Sequence, residues 1–368
     1  MNCFKNQTWQ KILKKYPQNS TSKKFSISEY HAILSSDFPT FLKKYIETPA
    51  MQRLSGIGLL CGTDWTKLYQ NRFFYSRLDH SIGCALIVWN FTKSKVQTLA
   101  ALFHDIATPC FSHVCEFRKG DALTQSACES NTEKIILKSK EIQKLLEQDQ
   151  IKTKDVCNYH IYPIADNEIP SLSADRLEYM FPSGAALHEN WNLSQIKQVY
   201  SQIKVLKNEN GIKELGFAKK DAALKYTQKF CETSHLLQLN ENKLTLQLLA
   251  QICTQAVNQN ILTEEDFMNL SEKQVISTFE KVQNQDFQKL FRTFKSMTQI
   301  IHSEHPLPNC FCVNIQVKQR YINPLVEIET KNEKKAIRLS EISNKAKKII
   351  QDFLEYKDTL FGCVKILD

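Results

Sequence analysis

Four side chains in the first half of the chain could hold a divalent metal ion: His80, the adjacent pair His104 and Asp105, and Asp175. A lone histidine on an apolar stripe is ordinarily a satisfied core residue. An imidazole beside a carboxylate is a different case, because burying that pair is costly unless something offsets the charge, and a divalent cation does so directly. Two His and two Asp make a mixed nitrogen and oxygen donor set that suits one ion of Mn, Fe, Zn, Ni or Mg, with water in the open positions. Such a centre acidifies water and screens phosphoryl oxygens, which is the chemistry of phosphoester or phosphoanhydride hydrolysis.

Helices must position these groups. His80, Gly83, Cys84, Ile87 and Phe91 share one face at helical spacing, and Val96, Leu99, Ala100, Phe103 and His104 repeat the pattern on the next segment. Antiparallel packing over a short connection would turn His80 toward His104. Asp175 and Tyr179 lie one turn apart within Leu172 to Tyr179. Residues 131 to 147 and 193 to 206 read as amphipathic helices, and 220 to 300 as a further helical region. From Cys310 to Val317 the chain alternates as a half-buried strand would; Leu325 to Ile328, Ile337 to Leu339 and Phe361 to Leu367 also look extended, with Ile342 to Tyr356 helical. The expectation is a mainly α protein. It has a polar N-terminal segment (1–44), a metal-binding core (45–205), a helical extension (206–305) and a small α+β part (306–368), with extended structure largely confined to residues after about 310.

Of the 368 residues 42% are hydrophobic and 24% charged, which is globular usage and excludes disordered or fibrous classes. The net charge of +9 comes from lysines alternating with acids, as between Lys138 and Glu147, so specific nucleic-acid binding is not expected. No apolar run approaches the roughly 18 residues that span a bilayer, and Met1 to Pro17 lacks a signal-peptide core, so a cytoplasmic protein without a membrane partner is expected. The twelve cysteines, Cys310 and Cys312 among them, show no CxxC pair and read as reduced thiols. His302 and His305 flank Glu304 ahead of the helix-ending Pro306 and are not expected to bind metal, and His160 and Asp166 precede the last of the candidate donors closely enough to line the pocket, a loop contact being the preferred reading.

Three segments carry a resemblance. Arg77-Leu-Asp-His80-Ser-Ile-Gly83, Leu102-Phe-His104-Asp105-Ile-Ala-Thr-Pro-Cys-Phe-Ser-His113 and Ala174-Asp175-Arg-Leu-Glu-Tyr179 resemble, in order and spacing, the signatures of HD-superfamily phosphohydrolases, in particular the branch of deoxynucleoside triphosphate triphosphohydrolases. The resemblance covers roughly residues 45 to 190. It implies an HD-domain helical bundle, with His80, His104, Asp105 and Asp175 as metal ligands. It also places Arg53 and Arg77 near phosphate. The departures are specific. Ala107, Thr108, Pro109 and Cys110 interrupt the family's Gly-His-Gly-Pro run, so one active-site histidine is missing while His113 remains. The family's downstream His-Glu pair falls on Cys128 and Glu129, its sugar-sensing Gln on Leu59, and a later Asp on Ser183.

On this reading His113 protonates the leaving oxygen, with Glu129 or Glu116 orienting it or serving as base. Arg77 and Arg176 are phosphate clamps, Arg176 alternatively pairing with Glu178, and Tyr179 shares the Asp175 face. The expected partner is a phosphate-containing small molecule, a nucleotide first among them, and a homo-oligomer is allowed. The competing reading is a catalytically weak module that binds nucleotide or metal in a sensing or scaffolding role.

Overall fold

A capping box opens the helix that carries the first candidate donor. Ser76 Oγ accepts from the Asp79 amide at 3.1 Å and Asp79 Oδ2 accepts from the Ser76 amide at 3.1 Å, which satisfies two of the orphan donors of a helix start. The resulting helix α1 (Arg77–Thr92) ends where Lys93 turns left-handed, and Ser94 caps α2 (Lys95–Phe103). Only Lys93 and Ser94 separate the two helices, so they pack as an antiparallel pair. Leu99, Ala100, Leu102 and Phe103 bury the inner stripe of α2. The computed structural model of the chain describes residues 25–123, 131–329 and 333–367.

Helix α3 (Ala174–His188), capped by Ser173, crosses α1. The crossing depends on Gly83, because a Cβ there would run into the side chain of Glu178. Beyond α3 come α4 (Lys220–Gln238) and α5 (Asn240–Asn258), and α5 packs its buried Leu244, Leu248, Leu249 and Ile252 in one apolar cluster with Phe111, Val114 and Phe117. The protein is mainly helical, and among the described residues no strand lies between 80 and 180.

The extended structure corrects two expectations. Strands β1 (Ile203–Lys207) and β2 (Lys213–Phe217) form a hairpin well ahead of residue 310, and the amphipathic helix expected over 193 to 206 stops at Tyr200. The hairpin is hard to see locally because β2 contains Gly216 and buries a carboxylate, Glu214. That group is held by Arg338 at 2.6 Å. Distant pairing makes β2 a strand, since it lies parallel to β5 (Leu325–Glu329), which pairs with β6 (Lys334–Arg338). The segment expected as one helix over 131 to 147 is two, Thr132–Lys138 and Lys140–Gln148, divided by the Ser139 cap.

A second, antiparallel sheet runs β3 (Ile301–Ser303), β7 (Phe361–Lys365), β4 (Cys310–Val313), with helix α6 (Asn344–Leu354) preceding β7. Here the cysteine expectation fails. Cys312 and Cys363 sit directly opposite each other on β4 and β7 and form a disulfide. Their separation of 51 residues leaves no local spacing signal, which is why both read as thiols. The remaining described cysteines are free thiols. No helix among the described residues is long and apolar enough to cross a membrane.

Candidate metal centre

His80 projects from the first turn of α1, His104 and Asp105 follow directly on α2, and Asp175 stands in the first turn of α3. The structure brings all four together. His80 Nε2 lies 3.1 Å from His104 Nε2, 3.1 Å from Asp175 Oδ1 and 3.8 Å from Asp105 Oδ2. His104 Nε2 is 3.6 Å from Asp105 Oδ2 and 3.8 Å from Asp175 Oδ1. Donors bound at about 2.1 Å in a tetrahedron stand about 3.4 Å apart, and neighbours in an octahedron about 3 Å, so these separations fit a single ion.

The ring tautomers agree. His104 Nδ1 donates to the Ala101 carbonyl at 2.7 Å and His80 Nδ1 donates to Glu178 Oε2 at 2.5 Å, so each ring turns its Nε2 to the cluster. The electrostatics show a site that draws positive charge. Burial opposes a protonated His80, yet Cys84, Glu178 and Asp175 around it raise its pKa well above the usual imidazole value. Burial likewise pushes up the carboxyls of Asp105 and Asp175, but Arg77 and the imidazoles outweigh it for Asp105, and His80 and His104 hold Asp175 down to about 2. Both carboxylates are thus anionic, and the donor set is compact enough to hold a divalent cation.

Glu178 is the functional group that sequence reasoning missed. It is fully buried, accepts from the Tyr75 hydroxyl at 2.5 Å through its other oxygen, and fixes the His80 ring; the expected Arg176 pair with it does not form. The signal was present in its position three residues beyond Asp175, on the same helix face. A carboxylate behind a ligating imidazole typically affects metal affinity 10- to 100-fold. Glu178→Gln should therefore weaken Mn binding by about that factor in a chelator competition while the fold, followed by circular dichroism, is retained. Unchanged affinity would remove Glu178 from the centre.

Cys84 is a further potential donor beside these four: its sulfur lies 3.6 and 3.8 Å from the two His80 ring nitrogens and within 4.8 Å of ligand atoms of His104 and Asp175. Arg77 pairs with Asp105 at 2.7 Å and donates to Ser112 Oγ at 2.9 Å. A cavity of about 370 Å³ opens over the cluster, lined also by His113, His160, Asp166, Arg176 and Tyr179. His113 donates through Nδ1 to the fully buried Glu116 at 3.2 Å, and burial holds its imidazole below the ordinary value. Arg176 pairs with Asp166 at 3.4 Å and donates to the Ser171 carbonyl. Tyr179 rests edge-on against His80, and its phenol is pushed up to about 12 by burial.

Three expectations need correction or qualification. Arg53 does not line the cavity, because its guanidinium turns away to the Ile106 carbonyl at 2.8 Å. His160 and Asp166 are more than a loop contact: they pair at 2.7 Å on the cavity wall. Glu129 lies outside the described residues.

Comparison with known proteins places this geometry in context. No protein-family model matches the chain. Among solved structures, a hypothetical protein from Aquifex aeolicus shares the fold with a TM-score of 0.59 at 16% identity, covering 90% of this chain and 93% of that one. Two curated proteins align at low identity. One of them is a metal-dependent phosphohydrolase. That protein, from Cordyceps militaris (cns2), is 28% identical over 138 residues, 38% of this chain and 39% of its own. The other, the uncharacterized YdhJ of Bacillus subtilis, is 26% identical over 142 residues, 38% of this chain and 41% of its own. The alignments span about two fifths of the length of both relatives.

A second group of potential donors, Glu241, His302 and Asp358, forms an ion-pair cluster. His302 places one ring nitrogen on Asp358 and the other on Glu241, each at 3.1 Å. The hydrogen bonds to Asp358 and Glu241 raise its pKa to about 10, whereas the unfolded value is about 6.5. A raised folded pKa contributes stability that is complete below the unfolded value and is lost as pH climbs through the folded one. Denaturant unfolding should therefore show a loss on the order of 2 kcal/mol between about pH 6.5 and 10, absent in His302→Gln, the full shift being discounted because solvent reaches part of the ring. Identical profiles for the two proteins would exclude this coupling.

Proposed function

We propose that the protein is a metal-dependent phosphohydrolase of the HD type acting on a nucleotide or another phosphate ester or anhydride. The observation that carries the reading is the gathering of two imidazole Nε2 atoms and two carboxylates in a cavity wall. The 28% identical metal-dependent phosphohydrolase supports it. A divalent ion held by His80, His104, Asp105 and Asp175 would supply charge for the phosphoryl oxygens and acidify an attacking water.

The chain's own groups do the rest. Arg77, fixed by Asp105 and Ser112, presents its charge to the phosphate. His113, whose Nδ1 proton is held by Glu116, has Nε2 to accept a proton and return it to the leaving oxygen. Arg176 and Tyr179 bound the substrate beside the donors. Leu59 and Ser183 also line the cavity, and Leu59 cannot hydrogen-bond a sugar hydroxyl, so the substrate is not restricted to deoxynucleoside triphosphates. Strong, selective dGTP hydrolysis would overturn that specificity.

The test joins elemental analysis of the purified protein to phosphate release from nucleotides and other phosphate esters with added Mn. The expected result is a bound divalent metal and a chelator-sensitive release of phosphate. A metal-replete protein that hydrolyses none of them is instead a metal- or nucleotide-binding module.

A further inference from the structure

The cavity has a wall that none of the three motifs supplies. Val317, Lys318 and Arg320, far along the chain from the donors, line it together with His80, His104, Asp105 and Asp175. This stretch belongs to no sheet. Lys318 and Arg320 both line the cavity, while the Gln319 side chain between them donates to the Leu354 carbonyl of α6 at 3.1 Å.

The segment is anchored along its backbone. The Lys318 amide donates to the Ala122 carbonyl, and the Lys318 carbonyl accepts from Gln238 of α4 at 2.9 Å. Val317 and Ile322 are buried on either side, and the Cys312–Cys363 disulfide ties down the strand that leads into it. Two cationic side chains are thus held on a fixed wall of the cavity. The charge of Arg320 also bears on His113 and Tyr179, which places it among the groups beside the metal donors.

We propose that Lys318 and Arg320 form a second anion subsite, so that the substrate of this centre carries a further phosphate or comparable anion beside the phosphate held over the donors. The inference rests on the phosphohydrolase reading and narrows its substrate class. One phosphate would occupy only a small part of a 370 Å³ cavity. A guanidinium and an ammonium two residues apart suit phosphate oxygens, the first through paired donors and the second as a point charge. A polyphosphate chain and a bisphosphate with separated groups share this chemistry, and binding can tell them apart.

The experiment is calorimetric titration of the Mn-supplemented full chain with inorganic phosphate, inorganic pyrophosphate and a nucleoside 3′,5′-bisphosphate. The wild-type protein should bind pyrophosphate, the bisphosphate or both at least about tenfold more tightly than phosphate. The variant carrying Lys318→Gln and Arg320→Gln should lose that preference to within about twofold, leave phosphate affinity unchanged, and keep its circular dichroism spectrum. Preference for pyrophosphate assigns the second anion to a polyphosphate, and preference for the bisphosphate to a separated group. Arg320→Lys should retain part of the preference. Equal affinity for all three ligands in the wild type, or equal weakening of all three in the variant, would overturn the subsite. A preference erased by the substitutions in a metal-replete protein without hydrolytic activity would keep the subsite and remove the phosphohydrolase reading.

Discussion

Asp105→Ala is expected to leave the protein without bound metal and without phosphate release from any substrate, and to lower its stability by about 3–5 kcal/mol. Asp105 has two tasks. Its Oδ2 faces both imidazoles at 3.6 and 3.8 Å and also receives the Arg77 guanidinium at 2.7 Å. Removing the carboxylate deletes a donor and strands a buried arginine, which is the costly way to break a buried pair. Asp175→Asn separates the two effects, because Asp175 partners His80 and His104 and no arginine. It should lose metal and activity with a smaller change in unfolding free energy. Full metal occupancy in either variant, measured by elemental analysis, would show that the cluster does not share an ion.

The second large effect concerns proton transfer. His113→Ala should bind metal as the wild type does and lose about 10²- to 10⁴-fold in kcat, the range for a missing acid or base. The ring lines the cavity but is absent from the donor cluster, and its only described carboxylate partner is the buried Glu116. His113→Gln controls for the space left by the ring and should be similarly slow. A variant that lost metal along with activity would reassign His113 to the support of the centre, and one with unchanged kcat would remove it from the reaction.

How much of this was legible depends on how local the cause is. The pairing of α1 with α2 can be read from Ser76, Asp79, Ser94 and the apolar stripe that ends at His104, because capping and helical periodicity act within a few residues. Asp175 stands at a helix start for the same reason, one residue beyond the buried Ala174 and two beyond the Ser173 cap. Glu178 was readable only in part, since a buried glutamate looks like a surface one until its partners His80 and Tyr75 are known. Arg53 misled because a motif position fixes a backbone place and not the direction of a long side chain. Strand β2 and the Cys312–Cys363 bridge were not legible, because residues 325–326 and 363, far away in the chain, decide them. Lys318 and Arg320 are brought to the cavity in the same way, by tertiary packing without a sequence motif.

The order of the second sheet adds a kinetic consequence. Its middle strand is β7, one of the last described segments of the chain, with β3 and β4 on either side of it. Until β7 has been synthesised, β4 has neither its neighbour nor its disulfide partner, and the stretch leading to Lys318 and Arg320 is not held. The candidate donors all lie on helices or directly after one, and leave the ribosome far earlier, at a pace of about 5–20 residues per second. During translation the nascent chain therefore passes through an interval of about 10–40 s in which the four donors can meet an ion before the wall that carries Lys318 and Arg320 is in place.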